Sequence, residues 1–83
     1  MFYTYILISM KNNQYYIGHT ENIDLRLGLH NAGRVKSTRY KRPWKVVYLE
    51  TFETKIEANQ RELEIKRKKS RKYIDFLLEN KRE

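Results

Sequence analysis

The apolar positions at the start of this chain recur with period two. Phe2, Thr4, Ile6 and Ile8 alternate with Tyr3, Tyr5, Leu7 and Ser9, and both sets are largely apolar or aromatic. Alternation predicts a strand, and two apolar faces predict that it is covered on both sides. A polar stretch, Lys11-Asn12-Asn13-Gln14, separates this run from Tyr15-Tyr16-Ile17-Gly18-His19. Two runs rich in β-branched and aromatic residues around an Asn-Asn turn predict a β-hairpin. Its second strand places Tyr15 and Ile17 on one face and Tyr16 and Gly18 on the other. Gly18 inside a strand implies close approach of a backbone or a ligand, or a tight strand exit.

Residues 23 to 31 carry both periods. Ile23, Leu25, Leu27 and Leu29 alternate as in a strand, yet Ile23/Leu27 and Leu25/Leu29 are also i, i+4 pairs. Leu and Arg are good helix formers and Asn22 can cap, so the segment predicts a helix, against a cost of about 1 kcal/mol at Gly28. Asn31-Ala32-Gly33 ends it, with Gly33 suited to a left-handed C-terminal position. Residues 34 to 43 show no hydrophobic period and predict a basic loop. Trp44 to Phe52 predicts a third strand. Thr54-Lys55-Ile56-Glu57 is a capping box opening a helix at about Lys55, with an expected buried stripe of Ile56, Ala58, Leu63 and Ile65 and with Glu62 at its edge. Glu57 and Glu64 are expected to face solvent beside lysines. Ser70 can cap a last helix, about residues 71 to 81, bearing Tyr73, Ile74, Leu77 and Leu78. The sum is an α+β fold: a three-stranded antiparallel sheet flanked by about three helices.

At 83 residues without cysteine, the chain is expected to be a single domain, residues 1 to 83, stabilised by its core rather than by disulfides or a thiolate metal site. Charge alters the picture more. The formal net charge is +8, and thirteen of the eighteen Lys and Arg lie in two blocks, Arg34 to Lys45 and Arg61 to Lys72. Such clustering favours a polyanionic partner over a merely solvated face. Arg34, Lys36, Arg39, Lys41 and Arg42 in the first block, and Lys66 and Lys69 in the second, are the candidate phosphate contacts. Hydroxyls and a tyrosine interleaved with cations in the first block suit a backbone-holding surface. Neither block carries the broad apolar face of an interfacial helix, and no run approaches the roughly 20 apolar residues of a membrane span. Without a basic leader or cleavage site, the expected location is cytoplasmic, with no membrane partner.

The hairpin makes Tyr5 and Tyr16 neighbours on paired strands, within roughly 5–8 Å if they share a face. Arg26 and His30, spaced i and i+4, share one helical face. Two phenols, a guanidinium and an imidazole converging on one surface suit a phosphate, since Arg forks onto phosphate oxygens and phenols donate to them. Taken singly, strand tyrosines are packing residues, as is expected of Tyr3, Tyr15 and Tyr48. A lone His30 would be a polar residue near a helix end, and Arg26 could pair with Asp24 or Glu21.

The spacing of Tyr5, Tyr16-Ile17-Gly18, Arg26, His30 and Glu62 resembles the GIY-YIG nuclease domain. The likeness spans about residues 3 to 70 and is closest to the small group in which the domain stands alone; it extends to the N-terminal catalytic domain of excision-repair endonucleases. Tyr3-Thr4-Tyr5 stands where Gly-Ile-Tyr is usual, so only the final tyrosine of that motif is retained. His19 stands where related repair endonucleases commonly carry a lysine; it provides either a pH-dependent charge or a strand end, and with Gly18 it is an auxiliary candidate.

The resemblance implies hydrolysis of phosphodiesters, in DNA more than RNA, with one divalent cation, Mg²⁺ or Mn²⁺, on Glu62. It implies Arg26 on the phosphate, Tyr16 assisting deprotonation of water and Tyr5 orienting the phosphate or Tyr16. A single carboxylate with waters and substrate oxygens completing the shell suits Mg²⁺. A free phenol, with a pKa of about 10, is a poor base near neutrality unless its environment lowers that value. The proton acceptor is therefore left open among Tyr16, His19 and His30. A non-catalytic nucleic-acid-binding module of the same fold is the alternative, and a basic protein-interaction domain a third. Relatives that cut specific targets generally join this domain to a separate DNA-binding part. Weak sequence preference, structure-selective action in repair or recombination, or a protein partner supplying specificity is expected here.

Overall fold

In the computed structural model, residues 1–68 and 70–80 are described. Strand β1 (Phe2–Ser9) runs between two antiparallel neighbours, β2 (Tyr15–Thr20) and β3 (Trp44–Phe52), giving the order β2-β1-β3. Helix α1 (Ile23–Asn31) follows β2, a short 3-10 turn (Arg39–Lys41) precedes β3, and α2 (Lys55–Lys68) and α3 (Arg71–Glu79) complete the described chain. This is the α+β arrangement that the pattern predicts.

The hairpin turn works through Asn13, whose φ of 64° is the left-handed geometry that asparagine tolerates. The amide of Asn13 donates to the Ser9 carbonyl at 2.9 Å, and that of Ser9 to the Gln14 carbonyl at 2.8 Å. Register then pairs Tyr5 with Gly18, Ile6 with Ile17 and Leu7 with Tyr16.

Central β1 is buried on both faces, and each face has its own core. Ile6 packs with Ile65, Ile74 and Leu77 beneath α2 and α3. Tyr5 and Leu7 pack with Trp44, Tyr16, Ile23 and Leu27 beneath α1. Segment 23–31 is helical, settling its double periodicity, and Asn22 caps it by accepting from the Leu25 amide. The helix stops at Gly33, in the left-handed region at φ 78°. Trp44 is held to the helix end through Asn31, whose carboxamide oxygen accepts from the Trp44 amide at 2.6 Å and whose nitrogen donates to its carbonyl at 3.0 Å.

The capping box is reciprocal: the Thr54 hydroxyl accepts from the Glu57 amide, and the Glu57 carboxylate accepts from the Thr54 amide. The expected stripe of α2 needs correction. Ala58 and Ile65 are buried, but Ile56 and Leu63 are 69% and 46% exposed, and Glu62, at 9%, is buried in their place. Positions 58, 62 and 65 (i, i+4, i+7) make one helical face. The face turned to the sheet therefore carries a carboxylate, while two apolar side chains point outward. Glu57 is occupied as a cap, and Glu64 pairs with Arg61 at 3.0 Å rather than with a lysine. Ser70 caps α3 by accepting from the Tyr73 amide. The expected end of that helix at residue 81 lies outside the described residues. Among these, no helix is long and apolar enough to cross a membrane.

Candidate active site

Tyr5 and Tyr16 project from the same sheet face, diagonal across the β1–β2 pair, with ring centroids 6.4 Å apart. The imidazole of His30, from the last turn of α1, stands edge-on to both, at 6.1 Å from Tyr5 and 5.0 Å from Tyr16. Arg26, one turn earlier on α1, brings its guanidinium against the two phenols. Its pKa is raised above the ordinary value, first by hydrogen bonding to Tyr5 and further by Tyr16. Four of the five residues singled out from the sequence thus share one surface.

A chain of hydrogen bonds fixes these groups. The Thr38 hydroxyl donates to the Val35 carbonyl at 3.3 Å, leaving its oxygen to accept from His30 Nδ1 at 2.8 Å. His30 Nε2 is then an acceptor for the Tyr5 hydroxyl, 3.1 Å away. Tyr5 keeps its proton, donates it in a hydrogen bond to His30 and offers its oxygen as an acceptor to Arg26. Burial, and then the nearby Arg26 charge, lowers the His30 pKa from 6.5 to about 4, so the ring is neutral near neutrality. Burial also raises the Tyr5 pKa, against the lowering effect of Arg26. Tyr5 and His30 are 1% and 0% exposed, whereas Tyr16 and Arg26 are only partly buried. The outer members of the cluster, Tyr16 and Arg26, are therefore the ones open to solvent.

Gly18 makes room for this arrangement. A Cβ at this position would stand 2.5 Å from the Tyr5 hydroxyl oxygen. The close approach implied by a strand glycine is that of a side chain, the ring of its own paired residue.

Glu62 stands apart from the phenols. His19 pairs with Thr4 across β1–β2, on the face opposite Tyr5, and its Nδ1 meets Glu62 Oε1 at 2.5 Å. Lys66, one turn along α2, donates to Glu62 Oε2, also at 2.5 Å. Helix α2 is held to that edge by the Thr4 hydroxyl, which donates to the Ala58 carbonyl at 2.7 Å. The Glu62 charge still contributes to raising the Tyr5 pKa, so the two groups share an electrostatic neighbourhood at the β2 edge.

Of the basic candidates, Arg34, Lys36 and Arg42 are exposed, and Arg39 and Lys41 are partly buried. The Arg39 guanidinium lies 5.8 Å from the centre of the Tyr40 ring, which is itself 77% exposed. The Arg42 guanidinium packs on Gly33, filling the space a Cβ would take. Lys66 is exposed along its stem and ends on Glu62. Lys69 lies outside the described residues. Two supporting residues escaped sequence reasoning. Thr38 is 1% exposed, anchors His30 and accepts the Trp44 indole N–H through its carbonyl at 3.0 Å. Trp44 stacks edge-on to Tyr16, with centroids 6.2 Å apart. A Thr in a polar loop gives no sequence signal of burial, and Trp44 signals only a core strand.

With this geometry in view, the chain belongs to the GIY-YIG family: residues 1–74 match the GIY-YIG catalytic domain. That class of protein is a nuclease family. Among curated proteins, the chain is similar to UPF0213 proteins. It is 46% identical over 65 residues to UPF0213 protein SH2523 of Staphylococcus haemolyticus, covering 77% of this chain and 78% of that one. It is 40% identical over 79 residues to a UPF0213 protein of Streptococcus pneumoniae, covering 94% and 79%. The solution NMR structure of UPF0213 protein BH0048 from Bacillus halodurans matches with a TM-score of 0.61 and 35% identity, over 98% of this chain and 86% of that one.

Proposed function

We propose that the protein is a metal-dependent endonuclease that hydrolyses phosphodiester bonds in DNA. The observation that carries this reading is the convergence of the Tyr5 and Tyr16 phenols with the Arg26 guanidinium on one partly open surface, bordered by the basic loop 34–43.

Phosphodiester hydrolysis requires that water be activated, the equatorial oxygens be neutralised and the leaving alkoxide be stabilised. Arg26 is the group for the equatorial oxygens, because its fork matches two of them and its charge is fixed. Tyr5 holds that fork in place and is itself held by His30, which makes His30 a positioning residue. Both imidazole nitrogens are engaged and the ring is buried, so the water is left to Tyr16. His19, on the Glu62 side, is the second candidate for the proton. Arg34, Lys36, Arg39, Lys41 and Arg42 track the backbone beside the site.

A divalent cation fits the donor set in a restricted sense. Among the described residues, no three His, Asp or Glu side chains gather as a cage. Glu62 offers one carboxylate, which with waters and substrate oxygens suits a hard ion such as Mg²⁺ or Mn²⁺. The Lys66 side chain that covers one of its oxygens is 46% exposed, so a cation arriving there would displace a partly screened ion pair. When bound, the ion would supply Lewis-acid charge to the phosphate and its leaving oxygen.

The engaged Glu62 oxygens favour, as a second reading, a module that binds nucleic acid without cutting. One experiment separates them: cleavage of single-stranded, duplex, flapped and branched DNA and RNA by wild type, Arg26→Ala and Glu62→Ala, with Mg²⁺, Mn²⁺ or EDTA. Cleavage lost with EDTA and in both folded variants is the expected result. Salt-sensitive binding without turnover on every substrate would establish the second reading.

A further inference from the structure

A shallow, open groove of about 350 Å³ lies between β2 and the α2–α3 junction, away from the phenols. Its apolar floor is Ile17 on β2, with the edges of the core residues Ile65 and Ile74, 2% and 7% exposed, beneath it, and its rim carries Lys66 and Arg71. Small-molecule sites run from roughly 300 to 1,000 Å³, so the groove has the size to take a single nucleotide lying along it.

The rim is preorganised for an anion. Arg71 lays its guanidinium over the Tyr15 ring, 4.4 Å from the ring centre, and donates through Nη1 to the Asn13 carbonyl at 2.8 Å. Those contacts hold the planar fork while leaving donors for another partner. The Tyr15 hydroxyl is committed to Asp75 of α3, to which it donates at 3.0 Å. Gln14 adds a carboxamide at the rim, with the donor and acceptor needed to meet a base edge. Cations around an apolar slot, in a chain of net charge +8, complement a flat heterocycle bearing a phosphate.

Position links this slot to the proposed reaction. Ile17 and His19 point to the same side of β2 and are two residues apart, about 7 Å along the strand. Lys66 belongs to both places, lining the slot while its amine rests on Glu62. We propose that the groove is a nucleotide subsite, receiving an unpaired nucleotide that flanks the phosphodiester at Glu62. The base lies along the floor over Ile17, and its phosphate lies on Lys66 and Arg71. This rests on the nuclease reading for its biological role, and it makes the preferred substrate one with a splayed base beside the cut: a flap, a bulge or a single strand.

Mononucleotide binding tests the slot without turnover. Isotope-labelled protein is titrated with deoxyadenosine 5′-monophosphate while backbone amide resonances are followed, with deoxyadenosine and ribose 5-phosphate as comparison probes. The expected result is saturable shifts at Tyr15, Ile17, Lys66 and Arg71, with both partial probes binding more weakly. Arg71→Ala, at an exposed position, weakens binding roughly ten- to a hundred-fold with the remaining spectrum preserved. Shifts confined to residues 34–45, equal affinity for ribose 5-phosphate, or no saturation would overturn the subsite. The two readings fail separately. Slot binding in a protein that cuts nothing keeps the subsite and removes the nuclease, whereas cleavage with no slot binding does the reverse.

Discussion

Tyr5 and Gly18 are paired across β1 and β2, and the Tyr5 ring occupies the space in which a side chain at 18 would stand. A methyl there would lie 2.5 Å from the phenol oxygen and 2.7 Å from its ring carbon. The ring cannot move aside freely, because its hydroxyl is anchored on His30 and its faces are buried. Gly18→Ala is therefore expected to cost about 1–3 kcal/mol by overpacking, read as a fall in melting temperature of about 4–8 °C for each kcal/mol. If the proposed chemistry holds, it should also reduce cleavage by displacing Arg26. Tyr5→Phe removes the atom that clashes most, so the double variant should regain part of the stability, a coupling that a double-mutant cycle measures. Simple additivity would show that the ring relaxes elsewhere.

The buried imidazole carries a pH dependence of definite sign. His30 has a pKa of about 4 in the folded protein against 6.5 for the free side chain. Below 6.5 the unfolded chain takes up a proton that the folded chain refuses, so stability is lost as pH falls from 6.5 towards about 4 and levels off below that. The slope approaches about 1.4 kcal/mol per pH unit within this window. Denaturant unfolding of wild type and His30→Gln at several pH values between 7 and 4.5 isolates it. Wild type should lose stability more steeply, and parallel curves would mean that His30 takes up its proton as readily in the folded chain as in the unfolded one.

The arrangement of strands and helices follows from periodicity, turn residues and caps, all of which are local. Asn13, Asn22, Gly33, Thr54 and Ser70 each do at their own position what their residue type implies. Tyr5, Tyr16, Arg26 and His30 come together because strand pairing and the i, i+4 rule are short-range geometry. What was not legible depends on packing between distant segments. The face of α2 that meets the sheet is set by Thr4 and His19, which receive Ala58 and Glu62. Hydrophobicity alone would have turned Ile56 and Leu63 inward. The burial of Thr38 likewise depends on Trp44 and His30, from separate elements.

Arg61 is the hub between α2, β3 and α3. Its Nε and Nη2 donate to the two Glu50 oxygens at 2.9 and 3.0 Å, and Nη1 reaches Glu64 at 3.0 Å and the Tyr73 hydroxyl at 3.3 Å. Tyr48 also donates to Glu50. Burial alone would raise the Glu50 pKa, but hydrogen bonds from Arg61 and Tyr48 hold it below the usual carboxylate value. Arg61→Met leaves a partly buried carboxylate without its fork and is expected to cost about 1–3 kcal/mol. Most of that loss should vanish in an Arg61→Met/Glu50→Gln double variant. The wild-type contribution is full above the ordinary carboxylate pKa and disappears as pH falls through the lowered folded value, so the stabilities of wild type and Arg61→Met should converge in acid.

Lys66 and a divalent cation compete for the same Glu62 oxygen if the proposed chemistry holds. The amine sits 2.5 Å from Oε2, and its side chain is 46% exposed, so displacing it costs a partly screened ion pair. Lys66→Met removes that competitor while also removing a contact to nucleic acid and to the nucleotide slot. Two effects of opposite direction follow. The Mg²⁺ concentration for half-maximal cleavage should fall about two- to five-fold, the equivalent of about 0.4–1 kcal/mol, while KM for the nucleic acid rises. Titrating Mg²⁺ at saturating substrate, and substrate at saturating Mg²⁺, separates them. A variant in which both values rise would mean that Lys66 supports the cation site rather than covering it, and that Glu62 takes its metal with the lysine still in place.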